Sequence, residues 1–275
     1  MCADFGVATG RSGTEVAKDA AKIVLVGDHF ARLAAAVEEG CVVYGNIKKA
    51  LWLLWTSFTE LEVLLGAMAL GYPLPFFAVQ ILWNNLLTEG LITVNLIMDP
   101  GEGDEAQRPP TPLDEPLVDR AMLGSIAVMV PAIVVVVLGW FVTREAAGVP
   151  AAQVRAEPFT LLALGEWVNV LNCRSAVRSS WTMPLGANPW LLGGLVLGGS
   201  QPAAVVLLPP LQPVLRNVGL GLGDVVLLVG VASVVLWSEE LRKLVVRRRR
   251  RSAARRPFYG GAGQASVGTQ AAHGR

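Results

Sequence analysis

Apolar residues in this chain do not alternate with polar ones; they gather into long runs. Six stretches read as helices that cross a bilayer: about Ala50–Tyr72, Phe76–Met98, Ala121–Val142, Pro158–Ala176, Trp190–Leu208 and Val218–Trp237. A spanning helix needs about 20 mostly apolar residues, and most of these stretches qualify. The fourth is the weakest, because its apolar run Phe159–Leu171 is interrupted by Glu166 and Asn169. Hydropathy alone would make it a short buried or re-entrant helix. Pro131 and Pro202 predict bends in the third and fifth spans, since each removes a backbone donor. The short Pro-rich link after Tyr72 makes the first two spans an antiparallel hairpin.

The residues ahead of the first span follow another pattern. Short apolar strings alternate with Asp4, Arg11, Glu15, Lys18 and Asp19, as in a soluble α/β unit. They contain no apolar stretch of the kind that forms the core of a signal peptide. A strand-like start directly after Met1 is abrupt for a whole domain, so the amino end reads as a domain remnant. In the GRSGT turn, Thr14 is placed as the cap of a following helix, because the turn lacks the lysine spacing of a phosphate-binding loop.

Charge decides the topology. Only 16% of the residues are charged, against about 25% in ordinary soluble domains. With six spans both termini lie on one side, which then receives Lys48, Lys49, Arg108, Arg120, Arg174, Arg178 and the Arg247–Arg251 run. The opposite side receives Arg144, Arg155 and Arg216. This is the positive-inside pattern, and omitting the fourth span would carry the Arg run across. The expected location is therefore the cell membrane, multi-pass, with both termini cytosolic. Cys2, Cys41 and Cys173 form no CxxC and His29 and His273 stand alone, so a His/Cys transition-metal site is unsupported. The basic run lacks interleaved aromatics, which argues against nucleic acid; it serves as a topological anchor, with anionic lipid as its alternative partner.

Three carboxylates fall well inside predicted spans: Glu60, Glu89 and Glu166. Facing lipid, each would cost roughly 3 kcal/mol, so they must face inward, be protonated or bind something. At helical spacing Ser57 shares a face with Glu60; Asn85, Thr88 and Glu89 share another; Glu166, Asn169 and Asn172 share a third. Three helices thus each offer a carboxylate beside neutral oxygens. Hard cations such as calcium take six to eight oxygens of those kinds at about 2.3–2.6 Å, and carboxyls so placed could also pass protons. Asn84 and Asn172 are assigned to hydrogen bonding between helices. Glu62 lies about 200° round from Glu60 and faces elsewhere.

Several segments, in collinear order, resemble one family. ADFGVATGRSGTEVAKDAAKIVLVGDHFARLAAAVEEGCVVYGNIKK (Ala3–Lys49), QILWNNLLTEGL (Gln80–Leu91), RPPTPLDEPL (Arg108–Leu117) and GEWVNVLN (Gly165–Asn172) are similar to P-type cation-transporting ATPases, nearest the calcium-pump branch and its bacterial relatives. The resemblance implies that the spans are the last six of a ten-helix pump. It places Glu60, Asn85, Thr88 and Glu166 at cation-ligand positions. Ser57 stands where asparagine is usual and Glu89 where aspartate is usual, so both keep an oxygen ligand with altered reach. Phe30–Lys49 is implied to be a stalk that carries movement from the phosphorylation domain.

The resulting expectation is a mainly α, polytopic membrane helical bundle with a small N-terminal α/β remnant of a phosphorylation domain. Its parts are 1–40, the remnant; 41–98, stalk helix and first hairpin; 99–121, an acidic cytosolic loop; 122–240, four further spans; and 241–275, a basic disordered tail. The cation-binding set is Ser57, Glu60, Asn85, Thr88, Glu89, Glu166 and Asn169, with Glu60, Asn85, Thr88, Glu89 and Glu166 as the metal-ligating subset and no catalytic residue. The cargo is calcium, another hard cation or a proton. The sequence contains neither the Asp-Lys-Thr-Gly-Thr nor the Thr-Gly-Asp-Gly-Val-Asn-Asp motif. Magnesium and ATP therefore belong to missing domains, and the chain alone is expected to be inactive. The expected partners are membrane lipids and the missing N-terminal pump half. The alternative is a non-catalytic or regulatory membrane protein derived from such a pump. A free-standing transporter would call for an internal repeat that is not visible.

Overall fold

The structure is a computed structural model that describes residues 6–101, 112 and 115–254, without the side chains of 30, 87–89, 187, 202, 206, 207, 250, 251, 253 and 254. Most of the acidic loop and the tail from 255 lie outside the described residues.

Strand β1 (Val7–Thr9), helix α1 (Glu15–Ala20) and strand β2 (Ile23–Leu25) form a small βαβ unit, with Val7, Ala8 and Thr9 paired in parallel to Ile23, Val24 and Leu25. Thr14 caps α1 as expected, its hydroxyl accepting from the Ala17 amide at 3.2 Å. The Gly-rich turn spends its amides on the chain itself: Arg11 N and Ser12 N each donate to the Asp28 carboxylate at 2.9 Å. Those hydrogen bonds, Arg11's first, hold the Asp28 carboxyl below its ordinary value. Asp28 sits at φ 55°, in the left-handed region that Asp tolerates better than most residues. The turn is thus filled by a carboxylate of its own.

Helix α2 (Phe30–Ser57) runs unbroken from the βαβ unit into the first hydrophobic run. It ends at Phe58, and α3 (Thr59–Ala69) begins beyond it. The expected span Ala50–Tyr72 is therefore jointed. The reason is local: the hydroxyls of Thr56 and Ser57 donate back to the Leu53 carbonyl at 2.7 and 3.1 Å, competing with the helical ladder. The hairpin turn follows, with Gly71 at φ 79° ending α3. The second expected span is likewise not one α-helix. It consists of α4 (Ala78–Trp83), a π-helical stretch over Asn84–Glu89 and α5 (Gly90–Ile97).

Helices α6 (Arg120–Ala146), α7 (Ala151–Cys173), α8 (Pro189–Leu207), the short α9 (Leu211–Val214) and α10 (Leu222–Ala254) stand at the remaining predicted spans. Pro131 and Pro202 lie within α6 and α8 without ending either helix. Among the described residues, three helical stretches are long and apolar enough to cross a membrane: Ala31–Ala69, Arg120–Ala146 and Leu222–Arg249. Helix α10 runs to Ala254, so the expected boundary at 240 falls inside it. Arg242 and Lys243 are tied there to Glu239 and Glu240.

Helix α7 is the axis of the bundle. Every residue from Ala156 to Glu166 is buried, and α2, α5, α6, α8, α10 and the π stretch all pack on it. That position explains its weak hydropathy, since a helix surrounded by protein need not present apolar residues to lipid. Two apolar clusters share it. One joins α3, α6, α7 and α10 around Val63, Ile133, Leu161 and Leu228; the other joins α2, α5, α6, α7 and α8 around Trp52, Leu96, Met129 and Val170. Helix α8 approaches α5 closely through glycine: a Cβ on Gly194 would stand 2.3 Å from Asn95 Nδ2, and one on Gly198 2.9 Å from Ile92 Cδ1. Small residues four apart allow such packing within membranes.

Candidate functional site

Between the two apolar clusters lies a knot of acids, amides and hydroxyls. Glu60 opens α3 directly after the joint at Phe58 and is buried, 8% exposed. Its Oε1 accepts from Asn85 Nδ2 at 2.5 Å, while Oε2 has no donor among the described residues. Glu166, on α7, is 3% exposed. Its Oε2 accepts from Asn84 Nδ2 at 2.5 Å and its Oε1 from Thr59 Oγ1 at 3.5 Å. Neighbouring residues thus reach different acids: Thr59 bonds Glu166 beside Glu60, and Asn84 bonds Glu166 beside Asn85. The two carboxylates are stitched together from α3, the π stretch and α7.

The π turn makes this possible. An α-helix would splay consecutive Asn84 and Asn85 by about 100°, whereas the wider π turn is a form found often at functional sites. It also means that the α-helical spacing assumed for Asn85, Thr88 and Glu89 does not hold over Asn84–Glu89. The side chains of Thr88 and Glu89 lie outside the described residues.

The polar file continues along α7. Asn169 Nδ2 donates to Thr56 Oγ1 at 2.9 Å. Asn172 Nδ2 donates to Asn169 Oδ1 at 3.4 Å and to the Val235 carbonyl at 3.3 Å. Ser57 is buried but its hydroxyl is committed to the Leu53 carbonyl, so it does not join the described contacts of Glu60. Glu62 is exposed, facing away from Glu60 as expected. Thr56, Thr59 and Asn84 are members the sequence reading did not place. Asn84 does bond between helices, as assigned, but its partner is Glu166 itself. Adjacency to Glu60 and Asn85 was the available signal, and an α-helical wheel hides it.

Acceptors outnumber donors here. Glu60 Oε2, Asn84 Oδ1 and Asn172 Oδ1 are buried oxygens with no donor among the described residues. Stranding such atoms costs about 1–3 kcal/mol each, so the arrangement suits something that supplies positive charge. Among the described residues no group of three or more His, Cys, Asp or Glu could hold a metal ion. Neutral oxygens would have to complete any coordination by Glu60 and Glu166.

The fold and this knot define a helical membrane protein with a polar centre at the heart of its bundle. The family model described as cation transporting ATPase, C-terminus, matches residues 73–245. Calcium-transporting ATPase 1 of Schizosaccharomyces pombe is 33% identical over 245 residues, covering 88% of this chain and 27% of that protein. The calcium-transporting ATPase of Bacillus subtilis is 35% identical over 242 residues, 84% of this chain and 26% of that protein. The probable cation-transporting ATPase F of Mycobacterium tuberculosis is 35% identical over 235 residues, again 26% of its length. The chain belongs to the P-type cation-transporting ATPases, of which it is the C-terminal membrane part, and it spans about a quarter of the length of these curated relatives.

Proposed function

We propose that this chain forms the ion-binding part of a P-type pump, with the cation carried as cargo between Glu60 and Glu166. The observation that carries the proposal is the pair of buried carboxylates on separate helices, cross-stitched by neutral side chains, with acceptor oxygens left over. Asn85 holds Glu60 in place, Asn84 and Thr59 hold Glu166, and Asn169 fixes Thr56 at the joint beside them. Thr88 and Glu89 are proposed as further ligands on the strength of the family resemblance. Calcium or another hard cation fits an all-oxygen set.

In this reading six helical segments span the cell membrane with both termini cytosolic, the βαβ unit is the end of a phosphorylation domain, and α2 transmits its movement. The missing pump half supplies magnesium, ATP and the phosphorylated aspartate. The test is equilibrium binding of radioactive calcium to the purified full chain in detergent. The wild type should bind saturably, and Glu60→Gln and Glu166→Gln should each weaken binding at least tenfold. Unchanged affinity in both would remove them from the site. An acid-stable phosphoenzyme formed from ATP by this chain alone would overturn the division of labour.

A further inference from the structure

The end of the bundle away from the stalk carries two cations that meet no acid. Arg155, in the first turns of α7, and Arg216, in the turn between α9 and α10, both stand over the ring of Phe77, each guanidinium carbon 5.2 Å from its centroid. The two charges are therefore no more than twice that distance apart. An aromatic face holds a guanidinium by cation–π attraction and leaves its fork of N–H groups for other partners. Neither guanidinium has an ion pair or a hydrogen bond among the described residues. The acids at this end are engaged elsewhere or unpaired: Glu157 is taken by Arg144 at 2.6 Å, Asp224 accepts from the Gly221 amide at 3.2 Å, and Glu145, in the last turn of α6, forms no ion pair among the described residues. The acids between α5 and α6 follow the far end of the helical run that Phe77 begins, and Glu89 lies about three turns along it.

A second observation concerns the amides beside this ring. Gln80 is 0% exposed; its Oε1 accepts from the Phe77 amide at 2.9 Å, and its Nε2 has no acceptor among the described residues. Asn217, next to Arg216, is 6% exposed; its Oδ1 accepts from the Val218 amide at 3.0 Å, and its Nδ2 is likewise unmatched. Buried donors are seldom left so. The backbone adds a third observation. Asn217 N donates to the Gln212 carbonyl at 2.8 Å and Arg216 N to the Pro213 carbonyl at 3.4 Å, which holds Arg216 at φ 49° in a helix-ending turn that usually takes glycine. A long cation thus stands where glycine would fit with less strain. Donors and positive charge gather here without an acceptor.

We infer that Arg155 and Arg216 bind the phosphate group of an anionic phospholipid, one guanidinium to each non-bridging oxygen. The guanidinium fork matches phosphate geometry. Arg155 and Arg216 lie just outside the expected spans Pro158–Ala176 and Val218–Trp237, and Phe77 stands at the start of another, the depth at which interfacial aromatics and lipid headgroups meet. Leu74 and Val214, both exposed beside them, give acyl chains an apolar contact. Two cations without an acid favour a headgroup that carries no cation of its own; free phosphate shares the chemistry. The site lies about three turns of α7 from Glu166 and does not depend on the proposed cargo.

Native mass spectrometry of the full chain in uncharged detergent tests this, with phosphatidylglycerol, phosphatidylcholine and inorganic phosphate as separate probes. Phosphatidylglycerol should be retained at least threefold over phosphatidylcholine. Arg155→Gln and Arg216→Gln should each lower that retention at least threefold, whereas Arg11→Gln, which removes an exposed charge from the βαβ unit, should leave it unchanged. On the wild type, where no variant has to fold, hydrogen exchange over residues 215–221 should slow with phosphatidylglycerol and not with phosphatidylcholine. If inorganic phosphate is retained and phosphatidylglycerol is not, with the same sensitivity to both variants, the site stands and its ligand is soluble. Equal retention of the two lipids with no retained phosphate, wild-type retention in either variant, an equal loss in Arg11→Gln, or unchanged exchange with every probe would overturn the inference.

Discussion

Two regions of this molecule bury acids, and they do so in opposite ways. At the stalk end Asp99, with its side chain fully buried, meets Lys49 and Arg174 at 3.1 Å and takes a further hydrogen bond from Asn188 at 3.3 Å. Asn46 donates to the Asp99 carbonyl at 2.6 Å, so one residue ties α2 to the end of α5, the end of α7 and the start of α8. In the middle of the bundle Glu60 receives an amide from Asn85 and forms no ion pair among the described residues. Glu157 and Glu239, by contrast, are matched by Arg144 and Arg242, each at 2.6 Å. Where a cation of the protein stands against the acid, the acid is part of the frame. Where only neutral groups stand against it, as at Glu60, the cation of the proposed function would supply the missing charge.

The comparison breaks most visibly at Asp99. Replacing it with alanine leaves the buried Arg174 and the half-buried Lys49 without this counter-charge, and breaking a buried pair in that way costs about 3–5 kcal/mol. Chemical denaturation in detergent should show the loss, with cation binding per folded molecule retained. Glu60→Gln should do the reverse. It replaces a buried carboxyl that has no ionic partner among the described residues, so the cation-free protein keeps its stability. Wild-type protein at a calcium concentration a hundredfold above Kd should gain about 2.7 kcal/mol, and the variant, binding at least tenfold more weakly, should gain no more than about 1.4 kcal/mol in the same melts. A frame role for Glu60 would appear as destabilisation without calcium.

Smaller effects sharpen the contrast inside the centre. Asn84→Ala removes a hydrogen bond to the Glu166 carboxyl and, with that group ionised, should cost about 1.5–3 kcal/mol, against about 1 kcal/mol per bond for Asn169→Ala, whose partners Thr56 and Asn172 are neutral. Equal losses in equilibrium unfolding would mean that Glu166 is uncharged in the folded chain. The smallest effect belongs to Asp119, which caps α6 through a 2.8 Å hydrogen bond from the Met122 amide and pairs with Lys48. Burial alone would raise its carboxyl, but the hydrogen bonds from Lys48 and Met122 outweigh that and hold it below the ordinary value. A depressed carboxyl stabilises the fold fully above the ordinary value of about 4 and loses that contribution as pH falls below it. For a pair this exposed the loss stays under about 1 kcal/mol. Asp119→Asn should flatten this acid-side step in melts recorded from pH 6 to pH 3.

Much of this protein was written in the order of its residues. The long apolar runs placed helices at all six expected positions, the collinear motifs named the family, and the cost of a charge in lipid singled out Glu60, Glu89 and Glu166, of which the side chain of Glu89 lies outside the described residues. Those features follow from composition and length, which a linear chain already holds. The partners of the acids did not. Thr59 and Asn84 reach Glu166 across separations of 107 and 82 residues, and no local period encodes such contacts. The hydroxyls of Thr56 and Ser57 break the helix before Glu60, and the π turn alters the phase of Asn84–Glu89, so a wheel drawn at a fixed angle per residue puts these side chains on the wrong faces. Burial of α7 on every side, which lets a polar helix sit within an apolar bundle, was likewise settled by packing. Sequence determined which segments leave water and which charges go with them. Tertiary structure decided which charges meet, because that depends on where helices bend and what stands across from them.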